Sequence, residues 1–141
     1  MQEETFNYLA NYNIVYIPLL EDFKSQLTRL LPKNSTFVLS RTNMIFPNKT
    51  TFNAQSVVIL TESFEISVIP YGVPCDMSDG FVQMAGLNGK VMPIYHFGND
   101  AAKATIVGIT KTGWYFYDDE TNEYEMLTTE LLLWIIDRLG A

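Results

Sequence analysis

Histidine and cysteine are almost missing from this chain: its 141 residues hold one of each, His96 and Cys75. A lone cysteine cannot close an internal disulfide, so the fold must stand without one, as expected of a reducing compartment. A lone histidine excludes the two-histidine zinc motifs. Basic residues are scarce too, nine Lys and Arg against sixteen Asp and Glu, a net charge of −7. The shortage is uneven. Residues 1–70 carry five basic and six acidic residues, net −1, and residues 71–141 carry four and ten, net −6. Such a chain lacks the basic footprint that nucleic-acid phosphates require, so no direct nucleic-acid binding is expected. No apolar run approaches the roughly 20 residues that span a bilayer. The acidic start Met1-Gln-Glu-Glu-Thr5 has no basic segment leading into an apolar one, which speaks against a secretory signal. In that setting the glycosylation patterns at Asn34-Ser-Thr and Asn48-Lys-Thr read as chance matches. A Gly-rich phosphate loop is also missing: Gly86-Leu-Asn-Gly89 belongs to a hairpin. The expectation is a cytoplasmic protein with no cofactor, no metal and no membrane segment.

Apolar residues, in contrast, are plentiful at 48%, with 19 aromatic rings among them. That is enough for one domain, residues 1–141, with a core that needs no covalent support. Glu3, Glu4, Phe6, Leu9 and Ala10 suggest a short first helix, broken at Asn11-Tyr-Asn13, with Ile14-Val-Tyr-Ile17 as an extended link. Pro18 suits the first turn of a second helix, where Leu19, Leu20, Phe23, Leu27, Leu30 and Leu31 share one face and Pro32 ends the run. From Thr36 the pattern turns to period two and to β-branched and aromatic residues. Expected strands are Thr36–Ser40, Asn43–Phe46, Ser56–Leu60, Phe64–Ile69, Phe81–Leu87 and Val91–Phe97. The last two flank the two-residue hairpin signal Asn88-Gly89. Pro93 inside the second arm predicts an edge, a bulge or an early strand end. Thr105–Ile109 and Gly113–Tyr117 are expected to pair through Thr110-Lys-Thr112. The sum is an α+β fold: N-terminal helices, a mostly antiparallel sheet, and a C-terminal helix packed on it.

The last forty residues are the most telling. Asp118-Asp-Glu-Thr-Asn-Glu123 gathers carboxylates in a turn, and alternate carboxylates can cage calcium. Aligned on Asp118, however, the loop's required sixth-position Gly is Glu123 and its twelfth-position Glu is Thr129, so a solvated turn is expected. The final helix has Thr128 or Thr129 as cap, Glu130 in the first turn and Arg138 in the last. Its six apolar residues Leu131–Ile136 cannot all face one side, so they are buried on two sides or form a homodimer contact. In Trp114-Tyr-Phe-Tyr117 alternate rings point to opposite faces of a strand, which predicts aromatic side chains on both faces of the sheet.

The stretch Val91-Met-Pro-Ile-Tyr-His-Phe-Gly98, then Ile106-Val-Gly-Ile109, Gly113-Trp-Tyr-Phe-Tyr-Asp118 and Leu133-Trp-Ile-Ile136, resembles the C-terminal half of SUKH-superfamily domains. The resemblance covers about residues 90–138 and lies in the hydrophobic pattern; the family's Leu-Pro segment and Asn-Gly-Gly turn have no counterpart in the N-terminal half. It implies an α+β domain that acts by binding, as in bacterial toxin-immunity proteins, and it transfers no catalytic residue. Three functions are open. The first is an immunity or inhibitor protein engaging a basic toxin or nuclease through Trp114, Tyr115, Tyr117, Asp118, Asp119, Glu120, Glu123 and Glu125. The second is a viral or bacterial assembly subunit dimerising through Leu131–Ile136. The third is an enzyme pairing Cys75 with His96 as nucleophile and base.

Overall fold

Residues 12–31, 33, 35–45, 49, 51–61, 64–70 and 78–140 are described by the computed structural model. The expected first helix of Glu3, Glu4, Phe6, Leu9 and Ala10, together with Cys75, Asn34 and Asn48, lies outside them.

The first long helix, α1 (Ile17–Leu30), buries Leu19, Leu20, Phe23 and Leu27, the face its apolar spacing predicts. The residues before it are not an extended link. Tyr12–Tyr16 form a π-helical turn that runs directly into α1. Such a wide turn gives the Pro18 ring room against the carbonyl one turn back, where an α-turn would clash. At the other end Leu31 is extended, with φ −90° and ψ 159°. The clash between a proline ring and the preceding residue drives that conformation, and the next residue is Pro32.

Among the described residues seven strands follow in a single antiparallel sheet whose spatial order is the chain order: β1 (Thr36–Ile45), β2 (Thr51–Leu60), β3 (Glu65–Pro70), β4 (Gly80–Gly86), β5 (Val91–Phe97), β6 (Gly113–Asp118) and β7 (Glu123–Met126). The fold is therefore α+β, with helices before the sheet and after it. Two expected strands, Thr36–Ser40 and Asn43–Phe46, are one: β1 pairs continuously with β2 from Thr36↔Leu60 to Ile45↔Thr51. The β4–β5 connection is three residues long, because Gly86 N–H donates to the Lys90 carbonyl and leaves Leu87, Asn88 and Gly89 in the turn. Gly89 takes the left-handed conformation there, φ +85°, as three-residue hairpins favour.

The expected strand Thr105–Ile109 does not exist. Ala101–Ile106 form a short helix, α2. The Asp100 side chain caps it by accepting the Lys103 N–H, and two alanines open it without a side-chain entropy cost. Gly108 then turns left-handed at φ +80°, and the Ile109 N–H returns to the Ala104 carbonyl. Consequently β6 pairs with β5 and β7, not with residues 105–109.

The second long helix, α3 (Thr129–Arg138), is capped as its sequence predicts, Thr128 accepting the Leu131 N–H. The Thr129 hydroxyl donates to the Leu30 carbonyl and so ties the start of α3 to the end of α1. Both long helices cover one face of the sheet. Against them pack Ile66, Val68, Val82, Met84, Ile94 and Trp114, which occupy alternate positions on four strands. Leu132, Ile135, Ile136 and Leu139 fill this core from α3, while Leu133 and Trp134 remain 43% and 42% exposed. At Gly86 the residue after α3, Leu139, packs directly on the sheet. A Cβ there would run into the backbone carbonyl of Leu139, which leaves glycine as the residue that fits.

Candidate protein-binding face

Strand β6 is the hinge between two environments. Its even positions, Trp114 and Phe116, face the helices, and its odd positions, Tyr115 and Tyr117, face the opposite side of the sheet. Trp114 lies 2% exposed in the main core, in ring contact with Phe23 at 4.7 Å, and its indole N–H donates to Asp22 Oδ2 at 2.7 Å. Tyr115 is buried on the opposite face among Phe97, Ala104 and Ile109. Its hydroxyl donates to the Lys111 carbonyl at 2.6 Å, and burial pushes its phenol above its ordinary pKa of 10.0.

Tyr117 is half-buried and continues that face. It pairs across the strands with Tyr124, ring centroids 4.9 Å apart, and its hydroxyl donates to Asn122 Oδ1. Tyr124 in turn meets Tyr95 edge-on at 6.0 Å and Phe97 at 4.8 Å, and Tyr95 meets Phe81 at 5.5 Å. Four neighbouring strands thus contribute one connected sheet of rings. Period two on β4, β5, β6 and β7 places it there: each ring occupies the position next to one that faces the helices. Part of this aromatic face is covered by α2 and the turn after it.

The carboxylates gather at the tip of the same hairpin, where Asp118, Glu123 and Glu125 share the side of Phe116 and not that of Tyr117 and Tyr124. Asp118 closes β6, and its Oδ1 accepts the Glu120 N–H, an Asx-type contact that fixes the turn. Asn122 adopts φ +57°, which an Asn tolerates, and its N–H reaches the Asp118 carbonyl. Asp119, Glu120, Glu123 and Glu125 are exposed. Among the described residues none of these five carboxylates forms an ion pair. Glu123 and Glu125 lie on the edge strand β7, where charge discourages pairing with other chains. Of the eight residues the sequence singles out, then, the structure brings Tyr117 and the five carboxylates together at the surface of one hairpin, with Trp114 and Tyr115 buried beneath it.

His96 occupies a different environment. It is 5% exposed, its Nδ1 is 2.7 Å from Asp79 Oδ2, and its Nε2 faces Asp22 Oδ2 at 3.9 Å, beyond hydrogen-bond reach. Asp79 Oδ2 also accepts the Asn99 N–H, and the Trp114 indole stands edge-on to the imidazole at 4.9 Å. Asp22 comes from α1, Asp79 from the residue before β4, His96 from β5 and Trp114 from β6, so this network fastens a helix to three strands. A small cavity of about 290 Å³ beside it is lined by Asp22, Asn99 and Thr112. Neither Asp79 nor Asp22 is legible as a partner of His96 in the sequence, since the contacts span 17 and 74 positions and follow no local period. Among the described residues no group of three His, Cys, Asp or Glu side chains could hold a metal ion, and no helix is long and apolar enough to cross a membrane.

Helix α3 contributes to this region as well. Trp134 meets Phe116 edge-on at 5.7 Å, and the Arg138 guanidinium lies over the Trp134 ring at 4.7 Å. The exposed ring belongs to the run Leu131–Ile136, whose excess over one helical face was the available signal. Comparison of the chain with family models, characterised proteins and solved structures gives no match.

Proposed function

We propose that this chain is a non-enzymatic protein-binding domain, an immunity or inhibitor protein that engages a basic toxin or nuclease through the acidic β6–β7 hairpin and the aromatic face beside it. One observation carries the reading. Tyr117 and Tyr124 stand half-buried at the end of a connected aromatic face, on the same hairpin as five carboxylates that no cation of the described residues neutralises. Tyrosine rings supply large, stiff contact area with a polar tip, which is what interface anchors need. Carboxylates around them steer a positively charged partner and reject a negative one. The resemblance of residues 90–138 to SUKH-superfamily domains supports the same reading, because those domains act by binding. Trp114 and Tyr115 serve it from below, by fixing the strand that presents Tyr117 and Asp118.

The test is calorimetric titration of the chain with basic proteins encoded in its genomic neighbourhood, at low and at high salt. Changing Asp118→Asn, Asp119→Asn and Glu120→Gln together is expected to weaken binding about tenfold or more and to flatten its salt dependence. Unchanged affinity with an unchanged salt slope would overturn the acidic-face reading. The exposure of Leu133 and Trp134 on α3 favours a second reading, an assembly subunit that dimerises through Leu131–Ile136. Sedimentation of the same samples decides it: a monomer throughout the micromolar range rejects the dimer.

A further inference from the structure

Strands β5 and β6 part before either ends. They pair at Tyr95↔Tyr115, His96↔Trp114 and Phe97↔Gly113 only, although β5 reaches back to Val91 and β6 runs on to Asp118. Continued in the same register, Pro93 would stand opposite Tyr117. Proline has no N–H to contribute to a ladder. On its other side β5 stays paired with β4 as far as Val91. The sheet therefore opens on one side of β5, and the opening is a cleft of about 560 Å³. Met92 and Pro93 form one wall, Phe116 and Tyr117 the other, and α3 closes it with Trp134 and Arg138. Asp118, Asp119 and Glu120 also line it.

We propose that this cleft receives an arginine side chain of the basic partner; the proposal rests on the acidic protein-binding reading above and names what that face recognises. The cleft already shows the chemistry. Arg138 lays its guanidinium over Trp134, so the indole stacks a planar cation, and an incoming arginine takes that place by displacing Arg138. The three carboxylates, in contrast, have no ion-pair partner among the described residues. An arginine entering from outside meets all three things it binds: apolar walls for its methylene stem, an aromatic wall at the head, and carboxylates for its N–H fork. Lysine meets fewer of them. Its ammonium is a strongly hydrated point charge with no plane to stack and no fork to offer two oxygens. The prediction is thus a preference for arginine at equal charge, which a diffuse acidic surface would not give.

Two blocked peptides of equal length and charge, acetyl-Gly-Arg-Gly-Arg-Gly-amide and its lysine counterpart, separate these cases by nuclear magnetic resonance on the full chain. The indole N–H signals of the two tryptophans serve as reporter and reference, since Trp114 is buried with its N–H held by Asp22 while Trp134 lines the cleft. The arginine peptide is expected to move the Trp134 signal, leave that of Trp114 in place, and bind about fivefold or more tightly than the lysine peptide. Trp134→Leu should reduce the arginine peptide to the affinity of the lysine peptide, and the unmoved Trp114 signal shows that the variant is folded. Equal affinities would overturn arginine recognition, as would binding that leaves Trp134 unmoved or no binding by either peptide. The acidic-face reading is decided separately, by the triple carboxylate variant against the whole protein partner.

Discussion

The two faces of the sheet are built from different side chains. Toward α1 and α3 the strands present mostly aliphatic or thioether chains, Ile66, Val68, Val82, Met84 and Ile94, all fully buried, with Trp114 and Phe116 as the aromatic exceptions on β6. Away from those helices they present Phe81, Tyr95, Phe97, Tyr115, Tyr117 and Tyr124, of which Phe97 and Tyr115 alone are buried. Aliphatic chains gain only by leaving water, so they belong where cover is complete. A tyrosine ring packs its body and still offers a hydroxyl to solvent or to a partner, so it is suited to a face with partial cover. The helix-covered face therefore holds the fold together, and the aromatic face keeps exposed surface, which is where the proposed binding is to be tested. Substitutions on the two faces should fail in different ways.

The largest effect is expected on the helix side. Phe23 is fully buried, in ring contact with Trp114, and belongs to the central cluster. Phe23→Ala should cost about 3–5 kcal/mol, a large part of the roughly 5–15 kcal/mol that stabilises a domain. Urea unfolding followed by tryptophan fluorescence measures it, and a loss under about 1 kcal/mol would mean that α1 is not the main cover of the sheet.

On the aromatic face the balance reverses. Tyr124 touches Tyr95, Phe97 and Tyr117 but is only half-buried. Tyr124→Ala should cost about 1–2 kcal/mol of stability, less than Phe23→Ala, because the ring loses part of its cover rather than leaving a closed cavity. Affinity for a basic partner should fall about tenfold or more. If Tyr124→Ala destabilised the chain as much as Phe23→Ala while binding persisted, the aromatic face would be a second core and not a binding surface.

How much of this the sequence made legible depends on the range of the interaction involved. Spacing alone placed the buried face of α1, because Leu19, Leu20, Phe23 and Leu27 repeat at the helical period, and alternation placed Ile66 and Val68 toward the core. Thr128 marked the start of α3 through local hydrogen bonding. Residues 101–109 misled for an equally local reason. The β-branched run Thr105-Ile-Val resembles a strand, but the cap at Asp100 and the left-handed Gly108 outweigh propensity over so short a span. At the candidate site, the acidic turn and the two-sided aromatic strand were visible as patterns. The β5–β6 cleft was only hinted at by Pro93, since its other wall comes from β6 and its far end from α3, more than twenty residues away. The network of Asp22, Asp79, His96 and Trp114 depends on side chains that meet only once the sheet is formed.

The smallest of the expected effects isolates one hydroxyl on the boundary between the two faces' roles. Tyr115 is 6% exposed and donates to the Lys111 carbonyl. Tyr115→Phe keeps the ring and removes that bond, at a cost of about 1 kcal/mol near neutral pH. Burial raises the phenol above its ordinary value of 10.0, because a phenolate would have to form where water is excluded. The sign follows directly. A group whose value is higher in the folded chain contributes stability that is fully present below pH 10 and is lost as the pH rises through the folded-state value. Stability of the unaltered chain should therefore decline faster above pH 10 than that of Tyr115→Phe, so the gap between the two narrows as the solution becomes alkaline. Urea titrations of both proteins from neutral pH upward measure the gap, and the difference removes the background from the remaining tyrosines. If the two curves stayed parallel, the cover over Tyr115 would be open to water, and α2 would no more seal the aromatic face than the β6–β7 hairpin does.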